Sequence, residues 1–96
     1  MPSAEVATVA RAGEVLRFGG TLSRGQVPAL WRQALPQLDG VRRFDLAAVA
    51  GVDSAGVALL AELASRAGAD LAIEGSPRGL AELRSAYRLT PALGFA

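Results

Sequence analysis

Residues 45–67, DLAAVAGVDSAGVALLAELASRA, constrain the fold of this chain more than any other stretch. Residues 46–50 form an uncharged apolar run, which predicts a fully buried strand. Apolar side chains then recur at helical spacing, at Val57, Leu60, Leu63, Ala64 and Ala67. The stretch therefore predicts a buried strand that leads directly into an amphipathic helix.

The turn between this strand and this helix, residues 51–56, carries the first indication of function. Asp53 or Ser54 can cap the helix, because a short side-chain oxygen accepts hydrogen bonds from the unpaired backbone N–H groups of the first turn. The carboxyl ends of strands are also where α/β sheets usually bind ligands and partners. The Ser54 hydroxyl is therefore a plain helix cap, a partner contact, or both.

The N-terminal half predicts a hairpin and a helix. Two alternating segments, residues 5–10 and 14–18, are separated by a turn at Ala12-Gly13, and Gly19-Gly20 should end the second strand. Ser23 is the expected cap of the helix that follows, and Pro36 should end or bend it. Its apolar stripe consists of Val27, Leu30, Trp31, Ala34, Leu35 and Leu38. Membership of this stripe favours a core position for Trp31 over a role as partner anchor.

The C-terminal half predicts one more strand and one more helix. Residues 70–75 read as a strand, and Ser76-Pro77 opens a helix that should end near Thr90-Pro91. Leu80, Leu83 and Tyr87 form its expected buried stripe. The element order is then ββαβαβα, and strands separated by helices favour parallel pairing. We expect an α/β fold with a small mixed four-stranded sheet.

Composition limits the size and the chemistry of the protein. The 96 residues, 51% of them hydrophobic, suit one domain over residues 1–96. Ten Arg and nine Asp or Glu give a net charge of +1 without a basic block, which argues against nucleic-acid binding. The sequence contains no His, Cys or Lys, so nucleophile–histidine pairs, Schiff-base lysines and thiolate or imidazole metal sites are excluded.

Two motifs near Ser54 fail as catalytic signatures. Gly51 and Gly56 have the spacing of a P-loop, but the Lys and Ser/Thr that should follow are Val57 and Ala58. The sequence VDSAG resembles a nucleophile elbow, yet Val52 replaces its first Gly and there is no histidine base. We therefore expect no catalytic residues, no cofactor and no metal ligand.

Location follows from the absence of membrane signals in the sequence. The N-terminus has no positive residue before its apolar part and carries Glu5, unlike a secretory signal. Charged residues interrupt every apolar stretch before the roughly 20 residues that a membrane span requires. We expect a cytoplasmic protein that reaches a membrane only through its partners.

With these elements in place, the chain resembles a STAS domain, the family of bacterial anti-sigma-factor antagonists and of the cytoplasmic tails of sulfate transporters. LRFGGTLSRGQVPALW matches the family's strand, G-x-L-x turn and first helix, and FDLAAVAGVDSAGVALLAEL matches its strand, D-[ST]-x-G turn and second helix. Within the family it is most similar to the MlaB branch, on the basis of Leu30-Trp31, the VDSAGVALL run and the closing segment YRLTPA.

The resemblance implies a function. Members of the MlaB branch are small subunits of an ABC complex, with an ATPase and a permease, that moves phospholipids and maintains outer-membrane lipid asymmetry. It implies a non-enzymatic subunit, peripheral to the inner membrane, that binds the ATPase. The expected contact residues are Val52, Asp53, Ser54, Ala55, Gly56 and Val57, with Thr21 and Ser23 beside them.

The resemblance also implies an alternative. In the sigma-factor switches, the hydroxyl residue at the position of Ser54 is phosphorylated by an anti-sigma-factor kinase. The acidic G-E-L-D turn of many relatives is here Gly20-Thr21-Leu22-Ser23, which lacks both acids. That departure weakens kinase recognition but leaves an anti-sigma-factor antagonist, switched at Ser54, as the second reading.

Overall fold

A computed structural model describes residues 7–68 and 71–86 of the chain. The elements are β1 (Thr8–Ala12), β2 (Val15–Leu22), α1 (Val27–Ala34), β3 (Arg43–Val52), α2 (Ser54–Ala67), β4 (Ala72–Glu74) and α3 (Leu80–Ala86), with short 3-10 turns at Arg24–Gln26 and Leu35–Gln37. The order ββαβαβα is confirmed. Expectations for Glu5, Tyr87 and the end of the third helix at Thr90-Pro91 lie outside the described residues.

The four strands form one mixed sheet in the order β1-β2-β3-β4. β1 and β2 pair antiparallel through a tight turn, in which Gly13 has a φ of 62° that favours glycine. β2 pairs with β3, and β3 with β4, in parallel. β2 and β3 end at the paired residues Leu22 and Val52, so their carboxyl ends lie at the same edge of the sheet. β4 is shorter and ends at Glu74, opposite Asp45.

β2 does not end at Gly19-Gly20, so that prediction is wrong. The strand continues to Leu22. A Cβ at Gly19 would lie 2.8 Å from Thr8 Oγ1, so glycine permits β1 to approach closely. Gly20 has a φ of 77°, and the pairing with β3 shifts register between Gly20 and Thr21. These two glycines therefore bend the strand instead of ending it.

β3 is buried on one face only, which corrects the prediction of a fully buried strand. Leu46 and Val49 lie in the core, whereas Ala47, Ala48 and Ala50 are exposed. Two register shifts place extra β3 residues opposite β2. Side chains of a regular strand alternate between the two faces of the sheet. Each extra residue interrupts this alternation, so that the next large side chain again points into the core. An uncharged apolar run thus conceals an alternation of large inward and small outward residues.

The core lies between the inner face of the sheet and the helices. Phe18 of β2 and Phe44 of β3 meet there edge to face, with ring centroids 5.3 Å apart. α2 contributes the predicted residues Val57, Leu60, Leu63 and Ala64 to the core, and Ala67 packs at its margin. Leu80 of α3 is buried in the same cluster, and Leu83 packs against it.

The stripe of α1 is buried in part. Leu30, Ala34 and Leu38 are core residues, but Leu35 is 37% exposed, contrary to the prediction. Pro36 explains the difference, since α1 ends at Ala34 and a 3-10 turn with a different rotation per residue carries Leu35 outward. Trp31 is half-buried against the core, and the Arg66 guanidinium lies 5.1 Å from its ring centroid.

Among the described residues, no helix has the length and apolar character that crossing a membrane requires.

Candidate functional site

The predicted site residues converge at the carboxyl ends of β2 and β3. Leu22 and Val52, the last residues of these strands, are direct register partners. The loop from β2 to α1 and the turn from β3 to α2 therefore leave the sheet side by side. Thr21 and Ser23 come next to the Asp53–Ser54 turn, although 30 or so residues of sequence separate the two loops.

Asp53 fastens these two loops to each other. Its Oδ1 accepts a hydrogen bond of 2.8 Å from the Gly56 N–H and so caps α2. Its Oδ2 accepts a bond of 3.0 Å from the Arg24 N–H, in the neighbouring loop. The Asp53 N–H in turn donates to the Leu22 carbonyl over 3.2 Å. One residue thus determines the position of the first turn of α2 relative to the end of β2.

The same hydrogen bonds stabilise the charged form of Asp53. The pKa of its carboxyl group lies below the ordinary value, mainly because the Gly56 N–H donates to it. Desolvation opposes this shift, and the bond from the Arg24 N–H adds to it. Asp53 is therefore an ionised carboxylate at neutral pH whose two oxygens already have backbone donors.

Ser54 does not cap the helix, so of the two candidate caps the structure selects Asp53. Ser54 is the first helical residue and is exposed. No side-chain hydrogen bond of its hydroxyl occurs within residues 7–68 and 71–86. Ser23 likewise makes no capping bond with its side chain, although its backbone begins the 3-10 turn before α1. The Ser54 hydroxyl has no local structural role among the described contacts.

Gly56 permits the close contact between α2 and β2. A Cβ on this residue would lie 2.0 Å from the Leu22 carbonyl oxygen, inside any permitted contact distance. The first turn of α2 therefore rests directly on the backbone at the end of β2. This need for a missing side chain explains the glycine in the D-S-A-G turn without invoking a bound phosphate.

The predicted contact residues occupy two layers. Val52, Gly56 and Val57 are buried and form the support of the turn. The outer layer consists of exposed Asp53 and Ser54 and of half-buried Thr21, Ser23 and Ala55. A partner at this edge would touch the outer layer, while the inner layer keeps it in place.

A third segment, which the sequence analysis missed, reaches the same edge. The Val52 N–H donates to the Arg78 carbonyl over 2.9 Å, and Arg78 forms an isolated parallel bridge with Gly51. A Cβ on Gly79 would lie 2.5 Å from the Val52 carbonyl oxygen, so this approach also depends on glycine. Only the pair of glycines near Pro77 hinted at it in the sequence. We call residues 21–24, 53–55 and 78 the carboxyl-end surface.

The carboxyl-end surface presents polar and charged groups to solvent. It combines the Ser54 hydroxyl with two exposed arginines, Arg24 and Arg78, beside a carboxylate already bound to backbone N–H groups. Within the described part of the chain, no three His, Cys, Asp or Glu residues are grouped as metal ligands would be.

Comparison with known families gives one match. The family model described as "Mlab, STAS domain" matches residues 7–93, which include every strand and helix described above. The match confirms the resemblance to STAS domains and to the MlaB branch. No curated protein sequence matches the chain significantly.

Proposed function

The chain belongs to the STAS domain family, with MlaB resemblance, and we propose that it is a non-enzymatic subunit that binds the ATPase of a phospholipid-transporting ABC complex. Such a subunit would work at the cytoplasmic side of the inner membrane and contact the permease only as part of the larger complex. The proposal assigns the ATPase contact to the carboxyl-end surface.

The main observation behind this proposal is that the Ser54 side chain is exposed and does not cap α2. Asp53 takes over the capping bond, so the Ser54 hydroxyl is exposed at a turn that hydrogen bonds hold in place. Ala55 beside it is small, which permits another backbone to approach closely. A rigid surface loses little conformational entropy on binding, so its few polar contacts contribute more to affinity.

The proposed action on the ATPase is a shift of its conformational equilibrium. A partner favours one arrangement only to the extent that it binds that arrangement more tightly. Docking of the carboxyl-end surface would stabilise the arrangement in which the ATPase is competent. Hydrolysis of ATP would remain entirely with the ATPase subunit.

Replacing Ser54 with Arg tests the contact. The exposed Arg side chain would prevent close approach at the centre of the carboxyl-end surface. We therefore expect Ser54→Arg to abolish co-purification with the ATPase subunit of the proposed ABC complex. The fold should persist, because Ser54 is exposed and does not cap α2.

Ser65→Arg is the matched control. Ser65 is also exposed on α2 and lies eleven residues further along, about 16 Å at the rise of an α-helix. This variant should co-purify like the wild type. Retention of the ATPase by Ser54→Arg, with both variants folded by circular dichroism, would refute the assignment of the contact.

The anti-sigma-factor alternative predicts a different result at the same residue. An exposed Ser54 is accessible to a kinase as well as to an ATPase. Incubation with the cognate anti-sigma-factor kinase and ATP, followed by intact-mass measurement, separates the two functions. Stoichiometric phosphate on Ser54 would replace the transporter proposal with the alternative; an unchanged mass supports the transporter subunit.

A further inference from the structure

We propose that Arg24 and Arg78 make the carboxyl-end surface specific for an acidic protein surface on the partner. This inference rests on the proposed function, since the partner is the ATPase subunit. Membership of the family does not give the charge of the ATPase surface at this contact; the two arginines indicate that it is acidic.

The position of the two arginines follows from the strand pairing. Arg24 follows the end of β2, and Arg78 pairs with Gly51 on the other side of β3. Neighbouring strands lie about 4.8 Å apart, so the two backbone segments flank the Asp53–Ser54 turn at a separation of roughly 10 Å. Both arginines are exposed.

Gly51 leaves space beside Arg78. Thr21, Gly51 and Arg78 are cross-strand neighbours in one row. A Cβ at Gly51 would already lie 3.8 Å from the Arg78 Cβ, in ordinary contact. Apart from two Arg78 atoms, no described atom outside the neighbouring residues lies within 4 Å of that Cβ position, so Gly51 leaves space beside Arg78 for a carboxylate of a partner.

Arginines elsewhere on the sheet differ, because their guanidinium groups already have partners. Arg11 of β1 donates to the backbone carbonyls of Gly13, Gln37 and Asp39, and three others pair with carboxylates. The Nε–carboxylate distances are 3.6 Å for Arg17–Asp45, 3.7 Å for Arg42–Glu14 and 3.5 Å for Arg43–Glu74. Neither Arg24 nor Arg78 forms an ion pair with any residue in 7–68 or 71–86. Arg24 and Arg78 therefore differ from the arginines of the strands, because within residues 7–68 and 71–86 their guanidinium groups have neither an ion pair nor a hydrogen bond.

Asp53 does not cancel this charge by direct pairing. Both of its oxygens accept backbone N–H groups, at 2.8 Å from Gly56 and at 3.0 Å from Arg24. The Arg24 side chain is thus left to extend outward while its backbone is bound. Guanidinium groups of this kind bind carboxylates in a bidentate geometry.

The number of charges indicates a protein partner. Anionic membranes are recognised by clusters of about four to eight Lys or Arg residues, and nucleic acids by basic patches that follow many phosphates. Two arginines are too few for either class. They suffice for one or two carboxylates at the margin of a protein contact, where charge governs association rate and partner choice.

Charge reversal at both positions tests the inference. The association rate of Arg24→Glu/Arg78→Glu with the ATPase subunit of the proposed complex should fall about tenfold or more at ~0.01 M ionic strength, where the Debye length is about 30 Å. The difference should shrink at ~0.15 M, where the Debye length is about 8 Å. The Arg24→Gln/Arg78→Gln variant should show a smaller loss in the same direction, and biolayer interferometry measures all three proteins.

Arg32→Glu/Arg42→Glu is the matched control. It changes the net charge equally, at exposed residues in the last turn of α1 and just before the amino end of β3. At ~0.01 M its association rate should fall less than that of Arg24→Glu/Arg78→Glu, and at ~0.15 M, where the Debye length is about 8 Å, it should stay within about twofold of the wild type. Equal losses in the two double variants would show a response to net charge alone and overturn the inference.

The remaining outcomes separate this inference from the proposed function. Wild-type binding with an unchanged rate for both the Glu and Gln variants at residues 24 and 78 would overturn the acidic partner surface and leave ATPase binding intact. No wild-type binding to the ATPase would overturn both proposals. Binding of the wild type, but not of Arg24→Glu/Arg78→Glu, to anionic phospholipid vesicles without the ATPase would assign the arginines to lipid and overturn the inference.

Discussion

At the scale of single residues, Asp53 and Ser54 divide two tasks that adjacent polar side chains could each perform. Asp53 holds the turn, with one carboxylate oxygen on Gly56 and the other on Arg24. Ser54 accepts neither of these hydrogen bonds, and its side chain is exposed. A substitution at Asp53 should therefore affect stability, and through it the contact, whereas a substitution at Ser54 should affect the contact alone.

Asp53→Ala should lower the free energy of unfolding by about 0.5–2 kcal/mol, the usual range for loss of a helix cap. Removal of the carboxylate also releases the Arg24 N–H, so amide exchange should accelerate there as well as at Gly56. Urea unfolding and residue-resolved hydrogen exchange measure the two effects. Faster exchange at Gly56 alone would show that Asp53 does not connect the loops.

The same carboxylate should make stability depend on acid pH. The pKa of Asp53 is lowered in the folded protein, so its contribution is fully present above the unfolded pKa of about 3.9 and disappears as pH falls through the folded pKa. Asp53→Asn keeps a neutral acceptor without the titration. The stability difference between wild type and Asp53→Asn should therefore be constant near neutrality and contract below about pH 4. A constant difference down to pH 2 or so would contradict this account.

At the scale of elements, the position of α2 depends on the absence of a side chain at Gly56. Gly56→Ala would place a methyl group 2.0 Å from the Leu22 carbonyl oxygen. The helix would have to move away from β2, at a cost of about 1–3 kcal/mol that exceeds the gain of about 1 kcal/mol in helix propensity. Gly25→Ala is the control, since nothing lies within 4 Å of its added Cβ. Thermal unfolding should show a lower midpoint for Gly56→Ala only.

The elements also show how far a sequence can be interpreted. Element order, the mixed sheet and the buried stripe of α2 follow from periodicity and turn residues, and the structure has them. Two features could not be predicted from the sequence: the exposed outer side of β3 and the extension of β2 through Gly19-Gly20. Bulges between these strands interrupt the alternation of apolar and polar residues by which a half-buried strand is recognised.

The candidate site was predictable to a similar extent. The Asp53–Ser54 turn is visible as a capping signal between a strand and a helix. The choice of Asp53 as the cap, and its bond to Arg24, depend on the register of Leu22 against Val52. The position of Arg78 could not be predicted from the sequence. It lies beside Gly51 because of backbone contacts between segments that are distant in sequence.

At the scale of the whole molecule, the two ends of the sheet differ in whether the guanidinium groups of their arginines have partners. The amino-end half of its outer face carries the Arg17–Asp45 and Arg43–Glu74 pairs, which neutralise each other in solvent and contribute little to stability. The carboxyl-end surface has exposed arginines whose charge no described carboxylate pairs with. An acidic partner should therefore be oriented toward one edge of the sheet and away from its face.

This polarity predicts a restricted footprint for the ATPase. Amide exchange should slow on complex formation within residues 21–24, 53–57 and 78, and remain unchanged along the outer face at Ala47 and Ala48. Ser54→Arg should remove the protection, while Ser65→Arg should leave it. Binding should also raise the unfolding midpoint of the wild type, because a ligand of the native state stabilises it by about 2.7 kcal/mol at a hundredfold excess over Kd. Slower exchange at Ala47 and Ala48, with exchange in the carboxyl-end surface unchanged, would place the ATPase contact on the outer face of the sheet. That result would refute the assignment of the contact to the carboxyl-end surface.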